Sequence, residues 1–120
     1  MLNGWKQAWR LIVSVAGKLP ELDPEGFLVN LQDWSPQVAE QLAAQDEIKL
    51  TEEHLEIILL LRNFYQTYQL SPAMRPLTKY LRQYLTAEKT SSIYLMQLFG
   101  QSPAKALARY AGLPKPDNCL

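Results

Sequence analysis

Cysteine is nearly absent from this 120-residue chain, which holds one, Cys119, beside a single histidine, His54. One thiol excludes an internal disulfide, and without a Cys/His cluster a zinc site is excluded as well. No disulfide, metal or cofactor is needed for folding, because a chain of 120 residues buries well over half of its unfolded surface. Net charge is missing too. Twelve basic residues balance twelve acidic ones, so no overall field draws nucleic acid or anionic lipid. Long hydrophobic runs are lacking: Leu11 to Ala16 is far too short to span a bilayer. The start, Met1 to Val13, carries Trp5 and Trp9 among polar residues and resembles a signal sequence only superficially. These absences leave one ordinary domain in a reducing, cytoplasmic setting, with no membrane partner.

The one thiol is conspicuously placed. It lies beyond the last helical pattern, in the tail Gly112-Leu113-Pro114-Lys115-Pro116-Asp117-Asn118-Cys119-Leu120, whose two prolines forbid continuation of a helix. Most unpaired cysteines are small hydrophobes inside a periodic apolar segment, whereas this one is presented on an arm. It lies seven positions beyond Gly112, so the sulfur can travel roughly 20 Å from the helix end, far enough to enter a partner's active site.

Along the chain, Leu11 to Ala16, the Gly17-Lys18 turn signal, Leu19 to Leu22, Asp23-Pro24-Glu25-Gly26 and Phe27-Leu28-Val29 predict a short β-hairpin or small antiparallel ribbon. Helix signals follow. Ser35-Pro36 opens a helix ending near Gln45, and Thr51 caps a run to about Tyr68 with Glu52 and Glu53 in its first turn. Apolar residues cover most of that second helix, which predicts the central, mostly buried element. Ser71-Pro72 restarts a helix with Met74, Leu77, Leu81 and Leu85 on one side and Arg75, Lys79 and Arg82 on the other. Pro76 there requires either a later start or an irregular first turn. Ser91 to Phe99 stops at Gly100, and a last helix opens at Ser102-Pro103 and stops at Gly112. The expected architecture is mostly helical α+β: an extension over 1–10, a domain over 11–112 with a hairpin and about five helices, and a flexible arm over 113–120. His54, in a first helical turn beside the Thr51 cap, is expected to pack or cap rather than catalyse, and the tyrosines are expected in the core or at its rim.

The tail Ala111-Gly112-Leu113-Pro114-Lys115-Pro116 with its cysteine resembles the DsrC/TusE family of sulfur-carrier proteins. The resemblance continues in order through Asp23-Pro24-Glu25-Gly26-Phe27-Leu28, Asp33-Trp34-Ser35, Leu50 to His54, Arg62 to Tyr65, Ser71 to Leu77, Tyr94-Leu95, Leu98-Phe99 and Pro103-Ala104-Lys105. Such colinearity, over roughly Leu11 to Leu120, is more specific than any one short motif. The DsrC branch carries a second tail cysteine separated from the first by ten residues, and that position here is Ala108. The chain therefore looks like the TusE branch. This resemblance implies a sulfurtransferase that takes persulfide sulfur on Cys119 from a TusBCD-like complex and passes it to an MnmA-like enzyme thiolating the wobble uridine of tRNA.

A free thiol near pKa ~8.5 is only a few per cent ionised at neutral pH, and the neighbouring Leu120 carboxylate disfavours the thiolate further. Basic partners are therefore expected, and the candidates are Lys115 in the arm, Arg109 on the last helix, and Arg75 and Lys79, which the resemblance also marks as basic surface. Two other readings stay open. One is a DsrC-like interaction subunit in sulfur oxidation or sulfite reduction. The other is a helix-turn-helix nucleic-acid binder using the Arg75, Lys79, Arg82 face, which zero net charge and the Glu52, Glu53, Glu56 cluster weaken.

Overall fold

Residues 19–117 are described in the computed structural model; the extension 1–10, the predicted strand at Leu11 to Ala16 and Cys119 itself lie outside them. The described chain starts with a tight turn. The Asp23 carboxylate accepts from the backbone N–H groups of Glu25 and Phe27, both at 2.9 Å, and Gly26 takes the left-handed φ of +89° that closes the turn. Leu22 and Leu28 on either side form an antiparallel bridge, the only β-pairing among the described residues.

Five helices follow: α1 Pro36–Gln45, α2 Glu52–Tyr68, α3 Met74–Leu81, α4 Ser92–Phe99 and α5 Pro103–Tyr110. Short 3₁₀ turns at Leu31–Asp33 and Glu88–Thr90, which carry no strong sequence signal, precede α1 and α4. Ser35 caps α1 by accepting from the Val38 N–H at 3.2 Å, and Ser91 caps α4 by accepting from Tyr94 at 3.1 Å. Among the described residues no helix is long and apolar enough to cross a membrane.

The later start resolves the Pro76 difficulty. Helix α3 begins at Met74 after an Ala73 N-cap, so Pro76 falls in the first turn, where its missing N–H has no intrahelical partner to lose. Ser71 is consequently not a cap. The amphipathic reading of α3 is accurate: Leu77 and Leu81 are fully buried while Arg75, Lys79 and Arg82 are exposed.

The hub of the domain is α5 rather than α2. Helix α5 packs against all four other helices, and Leu107, Ala108, Tyr110 and Ala111 have no accessible surface. Small side chains explain this, because Ala104, Ala108 and Ala111 let neighbouring backbones come close on several sides at once. Helix α2 buries Leu55, Ile57, Ile58, Leu61 and Phe64, yet Leu59 and Tyr68 remain exposed, so its apolar circumference overstates its burial.

Candidate functional site

The root of the arm is built by the end of α5. Gly112 has φ +74°, its N–H donates to the Arg109 carbonyl at 3.1 Å, and the Leu113 N–H donates to the Ala108 carbonyl at 2.9 Å. This is a Schellman closure, with glycine supplying the left-handed residue and buried Leu113 the accompanying apolar contact. Two side chains secure it from outside. The Trp34 indole N–H donates to the Tyr110 carbonyl at 2.8 Å, and the Arg62 guanidinium donates to the Ala111 carbonyl at 2.6 Å while lying 4.0 Å over the Trp34 ring. Burial of Arg62 lowers its pKa from the ordinary range, although a guanidinium remains charged at any physiological pH.

The chain stays on the domain beyond Gly112, contrary to an arm that leaves it there. The Ser71 hydroxyl donates to the Pro114 carbonyl at 2.6 Å, Lys115 Nζ meets Glu25 Oε2 at 2.9 Å, and Pro116 is buried. Residues 113–116 are therefore held by the α2–α3 connection and the 23–26 turn. Leu113 is buried as part of the core cluster.

The four cations expected around the thiol fall into two groups. Arg109 is engaged with the domain: Nε donates to the Gly26 carbonyl at 3.0 Å, Nη1 to Asp46 Oδ2 at 2.9 Å and the Leu42 carbonyl at 3.4 Å, and Nη2 to Gln45 Oε1. It ties the 23–26 turn to the C-terminal end of α1, whose partial negative charge it also complements. Lys115 is paired with Glu25. Arg75 and Lys79, by contrast, stand exposed on α3 without a carboxylate partner among the described residues.

Neighbouring polar groups are structural. Tyr110 donates to Asp46 Oδ2 at 2.6 Å, and burial, reinforced by that bond and by the carboxylate's charge, pushes its phenol far above the usual range, so it stays protonated. His54 plays the capping part expected of it. Its Nδ1 accepts from the Thr51 N–H at 3.0 Å, its Nε2 donates to the Leu98 carbonyl at 2.7 Å, and Phe99 stands edge-on at 5.1 Å. This pattern requires the neutral ring protonated on Nε2, and desolvation lowers the His54 pKa accordingly.

Comparison with known proteins decides the family. The family model described as "DsrC like protein" matches residues 14–120. The chain belongs to the DsrC-like family. It is 41% identical over 109 residues to a "Sulfurtransferase TusE homolog" of Haemophilus influenzae, covering 91% of this chain and 100% of that protein. Against "Sulfurtransferase TusE" of Photorhabdus laumondii it is 45% identical, covering 87% and 94%. The NMR structure of Allochromatium vinosum DsrC superposes with TM-score 0.74 at 52% identity, covering 82% of this chain and 88% of that one. The oxidized DsrC of Archaeoglobus fulgidus superposes with TM-score 0.73 at 39% identity, covering 87% and 95%. Membership of this family agrees with the resemblance read from the tail and its colinear motifs.

Sequence reasoning did not assign Trp34, Arg62 and Ser71 to the arm. Trp34 and Arg62 are 28 positions apart and both distant from Gly112, so no local pattern joins them. Only Gly112-Leu113-Pro114, as a helix stop, carried a readable signal.

Proposed function

We propose that this protein is a cytoplasmic sulfur carrier in which Cys119 accepts persulfide sulfur and delivers it in the thiolation of a tRNA wobble uridine. The observation carrying the reading is that the chain's only thiol follows an arm whose root is braced on several elements of a DsrC-like domain. A root braced on several elements suits a carrier, because it fixes the point from which the thiol-bearing segment is presented to donor and acceptor. Relatives named sulfurtransferase TusE support the same assignment.

The Cys119 thiolate attacks the terminal sulfur of a donor persulfide, the donor S–S bond breaks, and the donor leaves as its own thiolate. Cys119 then bears the persulfide. An acceptor cysteine thiolate attacks its outer sulfur, and Cys119 leaves as a thiolate, so no net electron change occurs over the cycle. The donor is a TusBCD-like complex and the acceptor an MnmA-like enzyme holding tRNA. Arg75 and Lys79 supply an exposed basic surface on the helix that follows Ser71, the residue bonded to Pro114, and they meet the acidic side of a docking partner. Arg109 and Lys115 act on the thiol through placement of the arm, since their charges are already paired.

The 52% identity to Allochromatium vinosum DsrC favours a second reading, an interaction subunit of a DsrC-type complex. Ala108 weighs against it, because this chain has no second tail cysteine with which to form a disulfide. Incubation with a persulfide donor, followed by mass spectrometry, tests the carrier reading. One added sulfur on Cys119, lost in Cys119→Ser and transferable to an acceptor thiouridylase, is expected; an unmodified Cys119 would refute it.

A further inference from the structure

Acidic side chains are missing from one long stretch of the chain. From Ile57 to Ala87 the sequence holds Arg62, Arg75, Lys79 and Arg82 and neither Asp nor Glu, although charges balance over the whole protein. Arg62 turns to the Ala111 carbonyl and the Trp34 ring, which leaves Arg75, Lys79 and Arg82 exposed on α3 with no carboxylate partner among the described residues. The same helix pair carries a row of rings. Phe64 packs on Tyr68 at 4.6 Å and edge-on against Tyr80 at 4.9 Å, and Tyr80 meets Tyr84 at 5.2 Å. Phe64 and Tyr80 are buried, while Tyr68 and Tyr84 at the ends of the row are 55% and 53% exposed, and Leu70, just past the end of α2, is 52% exposed. The outer rings lean on buried ones, so less side-chain freedom remains to be lost when a partner covers them.

We propose that α3 and the C-terminal end of α2 form the docking surface for a protein whose own face carries carboxylates around an apolar centre, with Tyr68 and Tyr84 as anchors and Arg75, Lys79 and Arg82 as the rim. Charge complementarity selects the acidic partner. Tyrosine and arginine are the residues that anchor protein interfaces, and an apolar centre with a charged rim is the anatomy of such an interface. RNA fits this surface less well, because its affinity grows with the number of phosphates neutralised and three cations on a chain of zero net charge neutralise few. The surface adjoins the arm, since Ser71, just before α3, holds the Pro114 carbonyl at 2.6 Å. The carrier reading enters only through the identity of the partner, a protein that exchanges sulfur with Cys119.

Isothermal titration calorimetry of the full chain against the purified TusBCD-like donor complex and, separately, the MnmA-like acceptor tests it. Lys79→Glu/Arg82→Glu and, independently, Tyr84→Ala are each expected to weaken binding at least about tenfold, whereas Ile93→Ala on α4, at a side chain 70% exposed, changes it by under about twofold. Added salt is expected to weaken the wild type more than the charge-reversed variant. Positions 79, 82 and 84 are exposed, and circular dichroism checks that each variant is folded. Absence of wild-type binding to both proteins, an unchanged affinity in either surface variant, or an equal loss in Ile93→Ala would overturn the surface. Binding of tRNA alone, tighter than either protein and lost in the same variants, would assign the face to RNA and overturn it too. Sulfur loading of Cys119 is measured apart from binding: loading without surface-dependent binding sinks the surface and spares the carrier, and surface-dependent binding without loading does the reverse.

Discussion

Trp34 occupies the space that a side chain at position 112 would need: a β-carbon built on Gly112 would lie 2.8 Å from the Trp34 β-carbon. The left-handed φ of Gly112 and this close approach both demand glycine at the residue where α5 ends and the arm begins. An indole 78 positions earlier in the chain thus sets the direction in which the thiol-bearing segment departs.

Gly112→Ala is accordingly expected to lower stability by about 2–4 kcal/mol, combining the left-handed backbone penalty with steric displacement of Trp34. Urea unfolding measures it. A change below about 0.5 kcal/mol would mean that the closure is adaptable and that glycine is not required.

Arg62→Lys tests whether the brace needs a guanidinium. Lysine keeps the charge but loses the planar group that stacks on Trp34 while reaching the Ala111 carbonyl, so a loss of about 1–3 kcal/mol is expected. Equal thermal stability of the two proteins would reduce Arg62 to a replaceable cation.

His54 should make stability depend on pH. Burial depresses its folded-state pKa below the unfolded value near 6.5, so the contribution is complete above that pH. It declines as pH falls below 6.5, where the unfolded chain binds the proton first; a protonated ring would also set its Nδ1–H against the Thr51 N–H. His54→Gln should flatten the stability curve below about pH 6.5. A wild-type curve as flat as the variant's would contradict the neutral-cap assignment.

The arm's fastening at Ser71 and Glu25 should be separable from the fold. Ser71→Ala combined with Glu25→Gln removes the bond to Pro114 and the exposed pair with Lys115, at an expected cost of about 1–2 kcal/mol. Limited proteolysis within 113–117 should accelerate severalfold while cleavage elsewhere stays slow. Unaltered cutting would show that burial of Leu113 and Pro116 holds the segment without these polar contacts.

Local chemistry explains which parts were legible from sequence. Ser35-Pro36, Thr51, Ser91 and Ser102-Pro103 mark helix starts through interactions within three or four residues, and the observed helices begin beside them. The separation of Leu77 and Leu81 from Arg75, Lys79 and Arg82 follows from helical periodicity alone. Even His54 was readable as a cap, because its partner Thr51 is three residues away.

The sequence by itself therefore determined the helix order, the exposed cations of α3 and a solitary thiol at the end of a proline-bearing segment. Tertiary structure alone decided that α5 is the hub, that Ser71 serves Pro114 instead of starting a helix, and that Arg109 binds the 23–26 turn and the end of α1. The physical reason is one of range. Caps, turns and amphipathic faces arise from contacts within a single turn of chain, whereas the acceptor of a long polar side chain, and the side on which an alanine-rich helix is covered, depend on backbone brought near from 43 to 83 residues away.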